Sequence, residues 1–141
     1  MKYQKINNGY ILKLEKGDEI MATLTKFCVD NNINSGSVTG IGGTNDAVIK
    51  YYNLEKKEYI PKRFNGLNYE IVSLNGNISS IDEKPILHLH ITLGDSDYRI
   101  FGGHLESAVI AVTGEIIIYT SADDVVRRKM DEEFKLNFLD L

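Results

Sequence analysis

All three histidines of the chain lie between positions 88 and 104: His88 and His90 in the run ILHLHITL, and His104 directly after Gly102-Gly103. Side chains alternate along a strand, so Ile86, His88, His90 and Thr92 share one face while Leu87, Leu89, Ile91 and Leu93 share the other. The leucine face belongs to a core, and the two imidazoles two residues apart can reach one point. His104 joins them if Asp95-Ser96-Asp97 closes a three-residue hairpin. Gly94 then pairs with Tyr98, His104 falls opposite His88, and opposed residues face the same side. A two- or four-residue loop reverses the face of His104 unless Gly102-Gly103 supplies a bulge. Three neutral imidazoles are the ligand set of a zinc site with an open fourth position. Imidazole-only ligation also suits nickel, cobalt, copper or iron, and a hydrogen-bonded structural cluster is the alternative. The expected cofactor is a divalent metal, zinc first.

Other residues offer less. Gly40-Ile41-Gly42-Gly43 follows a strand-like run but lacks the third glycine of GxGxxG and the Gly-Lys-Ser/Thr of a P-loop. A turn with close backbone packing is the expectation, with Gly42 and Gly43 as a ligand-pocket wall the other reading. Glu70 and Glu115 begin apolar runs, EIVSLNG and EIIIYT. They are solvated strand-edge carboxylates, or proton carriers if their faces turn toward the histidines. Arg99, in the histidine hairpin, is a candidate for an anionic ligand.

The elements that must position these groups are mostly strands. Tyr3–Ile6 and Tyr10–Leu14 form a hairpin turning at Asn7-Asn8-Gly9. Asp18 is a candidate N-cap, and Ile20, Leu24, Phe27 and Cys28 recur at helical spacing, predicting a helix over Glu19–Asn31. Strands are expected at Ser35–Ile41, Asp46–Tyr52, Leu67–Ile81, Pro85–Leu93, Tyr98–Phe101, Ala108–Thr113 and Glu115–Thr120. Gly42-Gly43-Thr44-Asn45 would connect the first two. The tail SADDVVRRKMDEEF reads as a helix capped by Ser121 or Asp123.

A chain of 141 residues with 43% hydrophobic and 26% charged side chains fits one ordinary globular domain, residues 1–141. A single cysteine, Cys28, rules out an intrachain disulfide. The N-terminal residues lack a signal-peptide core, and no apolar run is long enough to span a membrane. These point to the cytoplasm. The net charge of −4 argues against nucleic acid, which is bound by neutralising phosphates, and the basic groups around Lys56-Lys57, Lys62-Arg63 and Arg127-Arg128-Lys129 are interleaved with acids. They read as solvated mixed-charge surface.

GIGGTNDAVIKYYN, YEIVSLNGNIS, KPILHLHITLGDSDYRIFGGHLESAVI and DEEFKLNFLDL resemble, in order, the segments of a stand-alone prokaryotic plants-and-prokaryotes-conserved (PPC) domain, with HLHITL…GGHL the most specific part. The resemblance implies an α+β fold: a mixed, largely antiparallel and partly barrel-like sheet flanked by helices. It also implies a homotrimer. Plant members join the domain to AT-hook segments and act at chromatin, but this chain has no Arg-Gly-Arg-Pro hook. The HxH…GGH pattern also looks like that of α-acetolactate decarboxylase, whose three histidines hold zinc. His88, His90 and His104 match those ligands, and its other catalytic residues find no counterpart. The resulting expectation is a trimeric protein binding a metal and a small molecule, with lyase or hydrolase chemistry within reach. The alternative is a DNA-binding or regulatory module with structural histidines.

Overall fold

A computed structural model describes residues 1–121 and 125–141. Asn7-Asn8 turns β1 (Lys2–Ile6) into β2 (Gly9–Glu15), as the asparagine–glycine run predicts. Helix α1 (Ile20–Asp30) buries Ile20, Leu24, Phe27 and Cys28, the four positions that recur at helical spacing. Its N-cap is Glu19 rather than Asp18. The Glu19 carboxylate accepts from Met21 N at 3.1 Å and Ala22 N at 2.6 Å, and Oε1 also accepts from Ala108 N at 3.0 Å. The cap thus ties the helix to the sheet. Asp18 instead closes the preceding turn, accepting from Glu15 N at 2.8 Å.

Four long strands follow: β3 (Gly36–Asn53), β4 (Glu58–Ile81), β5 (Lys84–Gly94) and β6 (Ile100–Thr120), with a terminal hairpin of β7 (Arg127–Asp131) and β8 (Leu136–Asp140). The sheet has eight strands in the order β1-β2-β6-β3-β4-β7-β8, and β5 pairs with both β4 and β6. The pairings β3–β4, β4–β5, β5–β6 and β6–β3 therefore return on themselves as a ring. Leu12, Leu14, Leu74, Ile78, Leu89, Ile91, Leu105, Ile110 and Ile116 fill the interior with the apolar face of α1.

The expected α+β class, with a partly barrel-like sheet flanked by helices, is corrected here. The fold is mostly β, a ring of strand pairings with one helix of 11 residues among the described residues. Three local misreadings explain the difference. Gly42-Gly43-Thr44-Asn45 is no turn but lies inside β3, where register shifts between Gly40/Gly42 and Thr44/Asp46 absorb the irregularity. The close packing expected there is real, since a Cβ on Gly42 would sit 2.5 Å from Thr113 O. Ala108–Thr113 and Glu115–Thr120 are likewise one strand, β6, running through Gly114. Long strands interrupted by glycine read as separate short ones.

From Arg127 onward the tail is a hairpin, not a helix. Asp131 Oδ1 accepts from Glu133 N at 3.0 Å and Phe134 N at 2.8 Å, and Lys135 takes a left-handed φ of 55°. A carboxylate turn followed by a left-handed residue stops a helix and reverses the chain. Ser121, one expected cap, stands just past β6 and donates its backbone N–H to Ser35 O at 3.1 Å. Asp123, the other, lies outside the described residues.

Candidate metal centre

The β5 strand presents Leu87, Leu89, Ile91 and Leu93 inward, all buried, and so turns His88 and His90 to the opposite face. The strand after it returns with a different register from the expected one. The loop is Asp95–Arg99, Gly94 pairs with Ile100, and His104 stands opposite His90 rather than His88. Asp95 builds this five-residue loop by accepting from Asp97 N at 2.9 Å and Arg99 N at 3.0 Å, while Tyr98 adopts φ 60°. A slip of two residues preserves the face, so the convergence survives the misread register. No bulge at Gly102-Gly103 is needed, because both glycines pair continuously with Thr92 and Ile91.

The three rings lie 5.3 Å (His88–His90), 5.0 Å (His88–His104) and 5.7 Å (His90–His104) apart between centroids. One nitrogen from each falls within 4.8 Å of the others. A tetrahedral ion with metal–nitrogen bonds of about 2.0–2.1 Å would need nitrogens roughly 3.4 Å apart, a small side-chain adjustment. His90 is exposed while His88 and His104 are half-buried, so the open side faces solvent. His104 Nδ1 is buried with no hydrogen-bond partner, the only such side-chain atom among the described residues. Buried polar atoms are almost always satisfied, and a cation on this nitrogen would satisfy it. The donor set and the orphaned nitrogen both fit a divalent metal.

Electrostatics keep the His88 and His104 rings ready to ligate. Burial, then the neighbouring His88 and His90, push the His104 pKa down to about 4. Burial, followed by the Arg128 charge and His90, lowers that of His88. Depressed values mean neutral rings near pH 7, the form a metal ligand requires. Around them, Tyr59 stacks on His104 with centroids 4.9 Å apart and planes at 28°. Lys50 lies over the Tyr59 ring at 5.5 Å and forms an ion pair with Glu106.

Arg128 was hidden in the sequence, read as one of three basic residues on a solvated surface. On β7 its side chain turns inward, donating from Nε to Ser79 Oγ at 2.7 Å, from Nη1 to Asn137 O at 2.8 Å and from Nη2 to Asn77 Oδ1 at 2.8 Å. It also meets His88 Nδ1 at 3.4 Å. Burial lowers the Arg128 pKa. The strand alternation of RRKM was the available signal, masked by the helical reading of the tail.

Between β4, β5, β6 and the terminal hairpin lies a cavity of about 340 Å³. Tyr59, Ile81, Ile86, Leu136 and Phe138 form its largely apolar wall, with His88, His104 and Arg128 as the groups able to carry positive charge. No acid lines it among the described residues.

The remaining sequence candidates lie elsewhere. Glu70, Glu115, Gly42 and Gly43 come together in a separate cleft of about 400 Å³ with Ile41, Val72 and Val112, away from the histidines. Arg99 is committed to the β5–β6 loop, pairing with Asp95 at 2.8 Å and Asp97 at 3.1 Å. Cys28 is buried in α1, its thiol pushed up to about 12 by burial, and takes no part.

Comparison with known proteins places these features in context. A family model described as the Plants and Prokaryotes Conserved (PCC) domain matches residues 1–122, a span that contains the three histidines but not Arg128. The fold superposes with TM-score 0.94 on a candidate DNA-binding protein of Bacteroides thetaiotaomicron, 38% identical, covering 99% of this chain and 96% of that one. It superposes with TM-score 0.85 on a metal-containing protein of Archaeoglobus fulgidus, 33% identical and covering 99% of both chains. A curated relative, the bifunctional protein GlmU of a Synechococcus strain, is 25% identical over 124 residues, 86% of this chain. The chain spans only 18% of the length of that relative.

Proposed function

The chain belongs to the Plants and Prokaryotes Conserved domain family, and on that premise we propose that it is a metalloprotein in which His88, His90 and His104 hold one divalent ion, zinc first. The carrying observation is His104 Nδ1, buried without a partner beside two further imidazoles whose ligand atoms lie within 4.8 Å. The metal-containing relative from Archaeoglobus fulgidus supports the same reading. A bound zinc supplies Lewis-acid polarisation of a carbonyl, or a water acidic enough to act near neutral pH. Around it, this chain's own residues divide the work. Tyr59 holds the His104 ring by stacking, the apolar wall limits access of water, and exposed His90 leaves the outer side open to a small molecule. Those features suit a site for small-ligand binding or lyase- or hydrolase-type chemistry.

A trimer accompanies this reading. Ile41, Val72, Ile100 and Val112 are 52–76% exposed, three of them around the cleft that holds Glu70 and Glu115. Apolar sheet surface of this kind is ordinarily covered by a partner, and three-fold closure would cover it equally in every copy. DNA is not the ligand in this account. The net charge is −4, and the half-buried arginine beside the histidines faces a cavity too small for a duplex. The test is elemental analysis by mass spectrometry of protein purified without an immobilised-metal column. About one divalent ion per chain supports the reading. Metal-free protein that also fails to take up zinc refutes it.

A further inference from the structure

Arg128 poses a question that the metal site leaves open. Its guanidinium is partly buried, yet every acceptor it reaches is neutral: a serine hydroxyl, an asparagine side chain, a backbone carbonyl and an imidazole nitrogen. It is in no ion pair among the described residues, whereas Arg63 and Arg99 are each matched with aspartates. Buried charges are ordinarily paired, because neutral acceptors satisfy the hydrogens but not the charge. The cavity that Arg128 enters has no acidic lining residue to neutralise it. A divalent ion on the histidines would raise the local positive charge further, since Arg128 Nη2 lies 3.4 Å from His88 Nδ1.

We propose that this cavity binds a small carboxylate, its anionic end held between Arg128 and the three-histidine centre and its short apolar part against Tyr59, Ile86 and Phe138. The inference rests on the metal reading for its second point of attachment, but Arg128 supplies the first independently of any metal. An anion placed there converts a repulsion between guanidinium and metal ion into two attractions. The size of the cavity, about 340 Å³, suits a molecule near the lower limit of ordinary ligand sites. A carboxylate is favoured over a phosphate by the donor count. Three of the five guanidinium N–H groups are committed at 2.7–2.8 Å and a fourth leans on His88. That leaves little beyond one carboxylate oxygen, and the cavity offers no lysine to assist a dianion.

Isothermal titration of butyrate into zinc-loaded and metal-free protein tests this, with butyramide as the uncharged isostere and inorganic phosphate as the competing anion. Butyrate should bind saturably and butyramide at least tenfold more weakly. Arg128→Met should lose roughly ten- to a hundredfold in butyrate affinity, the worth of one hydrogen bond to a charged group. Arg128→Lys should lose less. The metal-free protein should bind butyrate more weakly than the zinc form and still depend on Arg128. Equal binding of butyrate and butyramide by the wild type would overturn the proposal, whatever the fate of the variants. So would saturable phosphate binding without butyrate binding, or an Arg128→Met protein that stays folded and binds butyrate normally. Failure of zinc to bind at all would instead sink the metal reading, leaving the metal-free titration to decide on Arg128.

Discussion

Gly76 offers a sharp test of how the sheet positions the histidines. It sits on β4 opposite Leu89, between the partners of His88 and His90. A Cβ added there would lie 1.9 Å from His88 O and 2.9 Å from Leu89 Cα. Both obstacles are backbone, so no side chain can swing aside. Reaching an ordinary separation of about 3.2 Å or more requires β5 to retreat by over 1 Å at the residue that carries an imidazole. Gly76→Ala would otherwise be favourable, since alanine in a strand gains roughly 0.5–1 kcal/mol over glycine. The overpacking term runs the other way, at about 1–3 kcal/mol and occasionally more. We expect the clash to win, with net destabilisation of about 2 kcal/mol and a melting temperature lower by roughly 5 °C for a chain of this size. Zinc affinity should fall about tenfold or more, as when the support of a ligand is disturbed. Gly43→Ala is the control: its nearest neighbour is Tyr69 O at 3.8 Å, and stability should stay within about 0.5 kcal/mol. Thermal unfolding at fixed protein concentration and zinc competition with a chromophoric chelator read both effects. A Gly76→Ala protein that melts and loads zinc like wild type would refute the close approach of β4 and β5.

Metal-free protein should lose stability as pH falls through the window from 6.5 toward about 4. His104 has its folded pKa lowered from 6.5 to about 4 and His88 is shifted the same way. Across that window the unfolded chain binds protons that the folded chain refuses, so stability rises with pH. A melting temperature flat over that range, followed on chelator-treated protein, would contradict it. Light scattering should give a mass near three times 15.9 kDa, unchanged on dilution to low micromolar concentration; a stable monomer would show that the cleft around Glu70 and Glu115 needs no cover. A band-shift assay should find DNA binding no tighter than about 10⁻⁴ M at physiological salt, without sequence preference. Submicromolar, sequence-dependent binding would restore the nucleic-acid reading.

The histidine cluster is legible in the sequence because strand alternation is insensitive to a register slip of two. Pairing Gly94 with Tyr98 instead of Ile100 moved His104 from His90 to His88, yet a shift of two leaves every side chain on its own face. Helix α1 was legible for a similar reason, since its buried residues repeat at one period. What stayed hidden depends on long-range placement. Gly42 and Gly114 look like chain breaks, but they lie opposite each other in β3 and β6 and let the two backbones approach. The tail looked helical because nothing local announces that Arg128 will reach across to Ser79, Asn77 and His88. Glu70 and Glu115, far apart in the sequence, meet in one cleft. Only the topology of the ring places that cleft apart from the histidines.

The most direct measurement is zinc titration of chelator-treated protein against a chromophoric competitor, run on wild type and on His90→Ala and His104→Ala. His90 is exposed, so its replacement should leave folding intact. The account predicts one zinc per chain for wild type and loss of that site in each variant, because two imidazoles hold zinc poorly. Unchanged zinc stoichiometry and affinity in the two folded variants would contradict it.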